Sequence, residues 1–147
     1  MSQRKKTSGI IAVLLFVAFI TPIFISGFIY AKNAENANQA GEYKTAAEFY
    51  AQAAKILFWQ NDLWEKSGIA SAQARDYSNA IFYFQKVNQL SEQGWVWLGT
   101  SYFQTGNTEK AISTFEMGAQ EFQSATLYRL LASAYRTQKK WEAEKNA

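Results

Sequence analysis

Carboxylates, lysines, serines and tyrosines are the only side chains available for acid–base or nucleophilic work, because the 147-residue chain holds neither histidine nor cysteine. That removes imidazole bases, thiolate nucleophiles, disulfides and the usual zinc ligand sets together. Two carboxylate pairs lie close in sequence, Glu42 with Glu48 and Glu116 with Glu121, and a pair of this kind could act as general acid and general base. Each falls on a polar helix surface among lysines, where a charge serves solvation. There is no Gly-rich phosphate loop and no nucleophile elbow. No enzymatic activity, cofactor, metal or small-molecule substrate is therefore expected.

The elements that carry these residues are helical. One proline and eight glycines are too few to punctuate a sandwich or barrel, and Ala, Gln, Glu and Lys dominate most of the chain. With 48% apolar and 16% aromatic residues the chain can bury a core, which excludes a disordered protein. The net charge of +3 resides in Arg4, Lys5 and Lys6, since from Lys32 onward the twelve basic residues are balanced by twelve acidic ones. A neutral folded portion has no electrostatic reason to seek phosphate backbones, so no nucleic-acid partner is expected.

No charge occurs between Lys6 and Lys32, and Ile10 to Tyr30 is apolar apart from Thr21, Pro22, Ser26 and Gly27. As a helix that run would extend about 31 Å, the hydrocarbon thickness of a bilayer. The sequence predicts a basic cytoplasmic tail at 1–7, a single transmembrane helix at 8–31, which is a signal-anchor, and a folded domain at 32–147. A cleaved secretory signal is the alternative, although its apolar region would be shorter. The basic cluster before the span keeps the N-terminus cytoplasmic and places the domain outside, in a periplasmic or lumenal space. Pro22 is expected to kink the helix. Beyond the span, AKNAENANQA lacks any helix breaker, so the same helix is expected to run on to about Ala40 and open the folded domain; a polar tether is the alternative.

Laid on itself, the chain repeats. Trp64 and Gly68 recur as Trp95 and Gly99, and Ala80 and Phe84 recur as Ala111 and Phe115. Tyr128, Leu131, Ala132 and Tyr135 answer Trp95, Leu98, Gly99 and Tyr102, while Ala46 and Tyr50 precede Ala80 and Phe84. The stretch Trp95-x2-Leu98-Gly99-x2-Tyr102 followed by Ala111-x3-Phe115 resembles the tetratricopeptide repeat. The resemblance covers about 36–141, with Ser67 and Ser71 standing where Leu and Tyr belong and the unit-closing proline missing throughout.

The fold implied is all-α: the transmembrane helix, then an α-solenoid of about three helical hairpins with repeats near 30–60, 61–91 and 92–124, and a partial unit at 125–147 acting as a capping helix. Small residues at 68, 99 and 132, opposed by Ala46, Ala80 and Ala111, would let paired helices approach, with Trp64, Phe84, Trp95, Tyr102, Phe115 and Tyr135 as core between hairpins. Asp62 with Glu65 reads as a capping box, and Ser91, Thr108 and Ser124 as N-caps. On the last helix Leu127, Tyr128, Leu131 and Tyr135 should face inward, with Arg129, Arg136, Lys139 and Lys140 toward water.

Tetratricopeptide domains bind protein or peptide partners in a concave groove lined by their first helices. The resemblance places Glu65, Ile69 and Gln73, then Trp97, Thr100, Phe103 and Gln104, and finally Arg129 and Arg136 in that groove, with Asp62, Val96 and Ser133 beside them. Trp97 and Phe103 would be aromatic anchors, and Arg129 with Arg136 would hold a carboxylate. The expected function is a membrane-anchored protein-protein interaction scaffold; the alternative is a structural subunit or assembly factor of a larger membrane protein complex.

Overall fold

The computed structural model describes the backbone of residues 2–145 and the side chains of residues 17–139, Phe19 excepted, together with Ala143. Among the described residues there are seven α-helices and no strand: α1 (Ser2–Gln39), α2 (Tyr43–Ile56), α3 (Asp62–Gln73), α4 (Tyr77–Phe84), α5 (Glu92–Gln104), α6 (Thr108–Phe122) and α7 (Ala125–Lys145). Consecutive helices pack antiparallel, and α3 also touches α5, which touches α7. This is a row of hairpins, α1/α2, α3/α4 and α5/α6, closed by α7.

The Ala- and Asn-rich stretch after Tyr30 is helical, so α1 runs unbroken to Gln39 and forms the first arm of the first hairpin. Ala34 and Ala37 are buried against Ala46, Ala47 and Tyr50 of α2. The Tyr50 hydroxyl donates to Glu35 at 2.7 Å. That bond holds the Glu35 carboxyl below the usual carboxylate range, while burial, followed by the same bond, pushes the Tyr50 phenol well up. α1 also passes Pro22 without ending. Among the described residues no helix is long and apolar enough to cross a membrane. Of the predicted span at 8–31, residues 8–16 and Phe19 lie outside the described side chains.

Three turns share one geometry. Gly41, Arg75 and Gly106 all have positive φ, at 78°, 62° and 78°. The next amide in each case bonds back five residues, Glu42 to Ala37, Asp76 to Ser71 and Asn107 to Tyr102, each at 2.9 Å. This is the Schellman helix stop, which a residue without Cβ adopts most cheaply. Arg75 is therefore strained where its two counterparts are not. Arg75→Gly should raise stability by about 0.5–1 kcal/mol, the left-handed penalty less the added freedom of the unfolded chain. An unchanged urea midpoint would show that the surrounding turn relaxes the arginine.

Inside each hairpin a small residue faces a ring. A Cβ on Gly68 would lie 2.9 Å from Phe84 Cε1, and one on Gly99 would lie 2.8 Å from Phe115 Cζ and closer still to Cε1. Ala46, Ala80 and Ala111 are wholly buried, but Ala132 is exposed and performs no such service. The repeated aromatics reach chiefly across their own hairpins. Tyr30 lies 6.1 Å from Phe49 between ring centroids, and Trp64 stacks on Tyr83 at 5.9 Å with Lys86 above it. Trp95 lies over Gly118 and donates to Glu121 at 3.0 Å.

That pattern explains where α7 departs from expectation. Tyr128 and Tyr135 are 50% and 46% exposed, because no helix follows α7 among the described residues to cover the face that α4 and α6 cover for Trp64 and Trp95. The inward stripe is instead Leu127, Leu130, Leu131 and Ala134, at helical spacing. α7 continues as one helix to Lys145 and does not turn into a second arm.

Two further features concern the middle unit. Ser67 and Ser71 are buried, and the Ser67 hydroxyl donates to the Ala47 carbonyl at 2.8 Å, so small serines let α3 approach the alanine-rich α2. The second arm of this unit, α4, is short, with only 8 residues against 14 in α2 and 15 in α6. Leu90 then folds in to complete the cluster around Ala72, Ala80 and Phe84.

Candidate partner-binding groove

The first arms α3, α5 and α7 lie side by side, and their mutual spacing is set by a repeated polar device. Ser91 caps α5, its hydroxyl accepting from the Gly94 amide at 3.1 Å. Its own amide donates at 3.0 Å to Glu65 of α3, and its hydroxyl donates to the same carboxylate. One hairpin later Ser124 caps α7, accepting from the Leu127 amide at 3.4 Å, while its hydroxyl donates to Glu92 of α5. Each capping serine is thus held by a carboxylate of the preceding first arm. Gly94 is part of the arrangement, since a Cβ there would strike the Glu65 carboxylate.

Glu65 is therefore not free in the groove, and it makes no capping box. Asn61 precedes α3 without a side-chain cap bond, and Asp62 pairs with Lys66 at 2.8 Å. Likewise Thr108 is the first residue of α6, behind Asn107. The cap that escaped notice is Asp76, which accepts from the Asn79 amide at 3.2 Å and starts α4.

Two clefts open along the first arms. One, of about 180 Å³, lies between α5 and α7 and is lined by Thr100, Phe103, Gln104, Leu130, Ser133 and Ala134, with Phe115 of α6 at its floor. The other, of about 430 Å³, is shallow and lined by Ser91, Glu92, Gln93, Val96 and Trp97 at the start of α5. The geometry brings together Thr100, Phe103 and Gln104 and places Trp97 in the neighbouring cleft. Trp97 and Phe103 leave α5 in different directions, Trp97 toward the Phe84 cluster and Phe103 toward the Phe115 cluster, and both are half-buried there.

The remaining expected groove residues lie apart from these clefts. Ile69 contributes to the core around Phe84. Gln73 turns its Oε1 inward, where no donor reaches it among the described residues, so that oxygen is not offered to a partner. Arg129 and Arg136 are exposed and line neither cleft; the Arg136 guanidinium leans back onto the Ala132 carbonyl at 3.4 Å. Leu130 and Phe115 were missed as lining residues. The spacing of Leu127, Leu130, Leu131 and Ala134 carries the signal for Leu130, whereas Phe115 reads from sequence as core alone.

A family model of the tetratricopeptide repeat matches residues 92–116, the α5/α6 hairpin through Glu116. Among solved structures the chain is similar to the Sgt2 TPR domain from Aspergillus fumigatus, with a TM-score of 0.69 and 18% identity over 80% of this chain and 82% of that one. It is also similar to the Arabidopsis OM64 TPR domain, with a TM-score of 0.68 and 13% identity over 78% of this chain and 98% of that one. The fold is that of a tetratricopeptide-repeat domain. No curated protein matches the sequence. Both clefts lie along first arms, one at the start of α5 and the other between α5 and α7. The cleft between α5 and α7 combines apolar Phe103, Phe115, Leu130 and Ala134 with the hydroxyls of Thr100 and Ser133 and the amide of Gln104.

Proposed function

We propose that the chain is a membrane-anchored scaffold that holds a protein or peptide partner in the groove between α5 and α7. The observation that carries this reading is the cleft at Thr100, Phe103 and Gln104, open to solvent beside a half-buried ring and framed by two first arms. Half-buried aromatics at the bottom of a concave surface are the usual anchors of protein recognition. Repeat domains of this fold act as interaction scaffolds, and this chain offers no constellation for catalysis in its sequence.

The anchor is supported by the uncharged stretch between Lys6 and Lys32 and by the bare apolar flank of α1, where Val17, Ile23, Ile25, Phe28 and Ile29 are all exposed. Arg4, Lys5 and Lys6 orient it with the N-terminus in the cytoplasm and the repeats outside. A structural role in a larger membrane complex is the second reading, favoured by the uncovered Tyr128 and Tyr135 face of α7.

Affinity capture from native membranes separates the two. Thr100→Arg with Ser133→Arg fills the cleft from both walls without touching the core, and should weaken capture of the partner at least tenfold, about 1.4 kcal/mol. Ser113→Arg, on the exposed side of α6, should leave capture intact. Retention by the cleft-filled chain, with loss on Tyr128→Ser and Tyr135→Ser, would transfer the role to the α7 face.

A further inference from the structure

The loop between α2 and α3 carries an apolar surface that the groove does not use. At the end of α2, Ile56 and Leu57 close onto Gly27 of α1, where a Cβ would lie 2.8 Å from Ile56 Cγ2. The chain then turns Phe58 and Trp59 outward, 73% and 48% exposed. The Trp59 ring lies 5.1 Å from Phe24 of α1 and 5.1 Å from Phe58. Ile23, Ile25, Phe28 and Ile29 are exposed on the same stretch of α1. Two elements therefore present one uncharged aromatic and aliphatic surface, and it is continuous with the run from which charge is absent.

We propose that this surface meets a lipid bilayer, with the Phe58–Trp59 loop in the headgroup layer and the hydrocarbon beginning at the level of Phe24. The inference rests on the anchor reading above and sharpens it. Charge alone would put the outer boundary near Tyr30, about 9 Å further along the helix than Phe24. The loop would then be sunk in hydrocarbon together with Gln60, Asn61, the Asp62 carboxylate and the unbonded amides that begin α3, which no irregular lipid-facing segment tolerates. Setting the boundary at Phe24 removes that cost. From Lys6 to Phe24 is 18 helical steps, about 27 Å, close to the hydrocarbon thickness. From Phe24 to Lys32 is about 12 Å more, which carries the first charge beyond the headgroups. Tryptophan and phenylalanine then occupy the level at which amphipathic rings concentrate. In this placement the first hairpin stands on the membrane with its Gly41 turn pointing away and the α2/α3 loop at the lipid surface.

The chain has no cysteine, so one introduced thiol takes a fluorescent label uniquely. The full chain is reconstituted in phosphatidylcholine and phosphatidylglycerol vesicles with the environment-sensitive label at Phe58→Cys, Val17→Cys or Ser113→Cys. Lipids bearing a nitroxide at the fifth or the twelfth acyl carbon serve as quenchers. The Phe58 label should emit blue-shifted and lose most intensity to the shallow nitroxide, the Val17 label should respond to the deep one, and the Ser113 label to neither. If Val17 is quenched while Phe58 emits as in water, the anchor stands and the boundary assigned here is wrong. If neither is quenched, the anchor reading fails and the inference with it. A blue-shifted Phe58 label that no lipid quencher reaches would mean that protein covers the loop, which also overturns the proposal.

Discussion

Gly99→Val is expected to cost about 3 kcal/mol or more, at the upper end of what overpacking a core exacts. Gly99 is buried in the middle of α5, and the added Cβ would fall within van der Waals radii of three Phe115 ring atoms. The ring packs in one cluster with Ala111, Ile112, Ala119 and Leu127, which limits how far it can yield. Against a total stability of about 5–15 kcal/mol, such a loss removes a large fraction of the folded margin. Gly99→Ala should cost less, since alanine regains about 1 kcal/mol of helix propensity. The check is the urea midpoint of the full chain in mild detergent. A second variant identifies the cause: with Phe115→Leu in the same chain, the penalty of valine should shrink well below the sum of the two single changes. Strict additivity would mean that Gly99 is required for some reason other than the ring.

Phe84→Ala is the other large effect, about 3–5 kcal/mol as for a buried phenylalanine truncated in a packed core. The ring is 2% exposed, lies on Gly68, and anchors the cluster of Ala72, Ala80 and Leu90. Its helix, α4, has 8 residues, too few to persist without tertiary packing. Each hairpin of a solenoid contacts only its neighbours, so a cavity here weakens the joint between the first hairpin and the α5/α6 hairpin. Unfolding of the variant should therefore separate into two steps, with amides of α4 exchanging first. A single transition merely displaced to lower urea would show that the two ends remain coupled past α4.

Much of the scaffold was legible because its constraints are about size. A residue that must sit under a ring has to be Gly or Ala, and the recurrence of Gly68, Gly99, Ala80 and Ala111 gave the register away. The continuity of α1 was legible from the absence of any breaker between Tyr30 and Ala40. Polar side chains were harder to place, since a glutamate three residues into a helix can turn back to a cap or reach across to the next hairpin. Glu65 does the latter because Ser91 lies within its span, a distance fixed only by the fold. The inward stripe of α7 was misjudged for a similar reason. Alignment to Trp95 and Tyr102 marked Tyr128 and Tyr135 as core, but among the described residues no helix covers them as α6 covers Trp95. Of the residues assigned to the groove, Thr100, Phe103 and Gln104 line one cleft, while Glu65 bonds Ser91, Ile69 packs on the core around Phe84 and Gln73 turns its side-chain oxygen inward.

The paired carboxylate-to-serine bonds also bear on how readily the groove deforms. A superhelix of hairpins behaves as a spring, and a cleft between two of its arms ordinarily widens and narrows as the coil breathes. Here Glu65 with Ser91 and Glu92 with Ser124 fasten α3 to α5 and α5 to α7 at the same end of each helix. Twisting about that fastened end is still allowed, but stretching there is resisted. The shallow cleft at Ser91, Glu92 and Gln93 lies at that fastened end, so its width is held, and a partner contacting it under the function proposed above would lose less binding free energy to ordering the receptor. The remaining compliance of the coil lies at the opposite end of the arms, near Gln73, Gln104 and Arg136, which is where the cleft at Thr100 and Phe103 opens and where its width can still adjust.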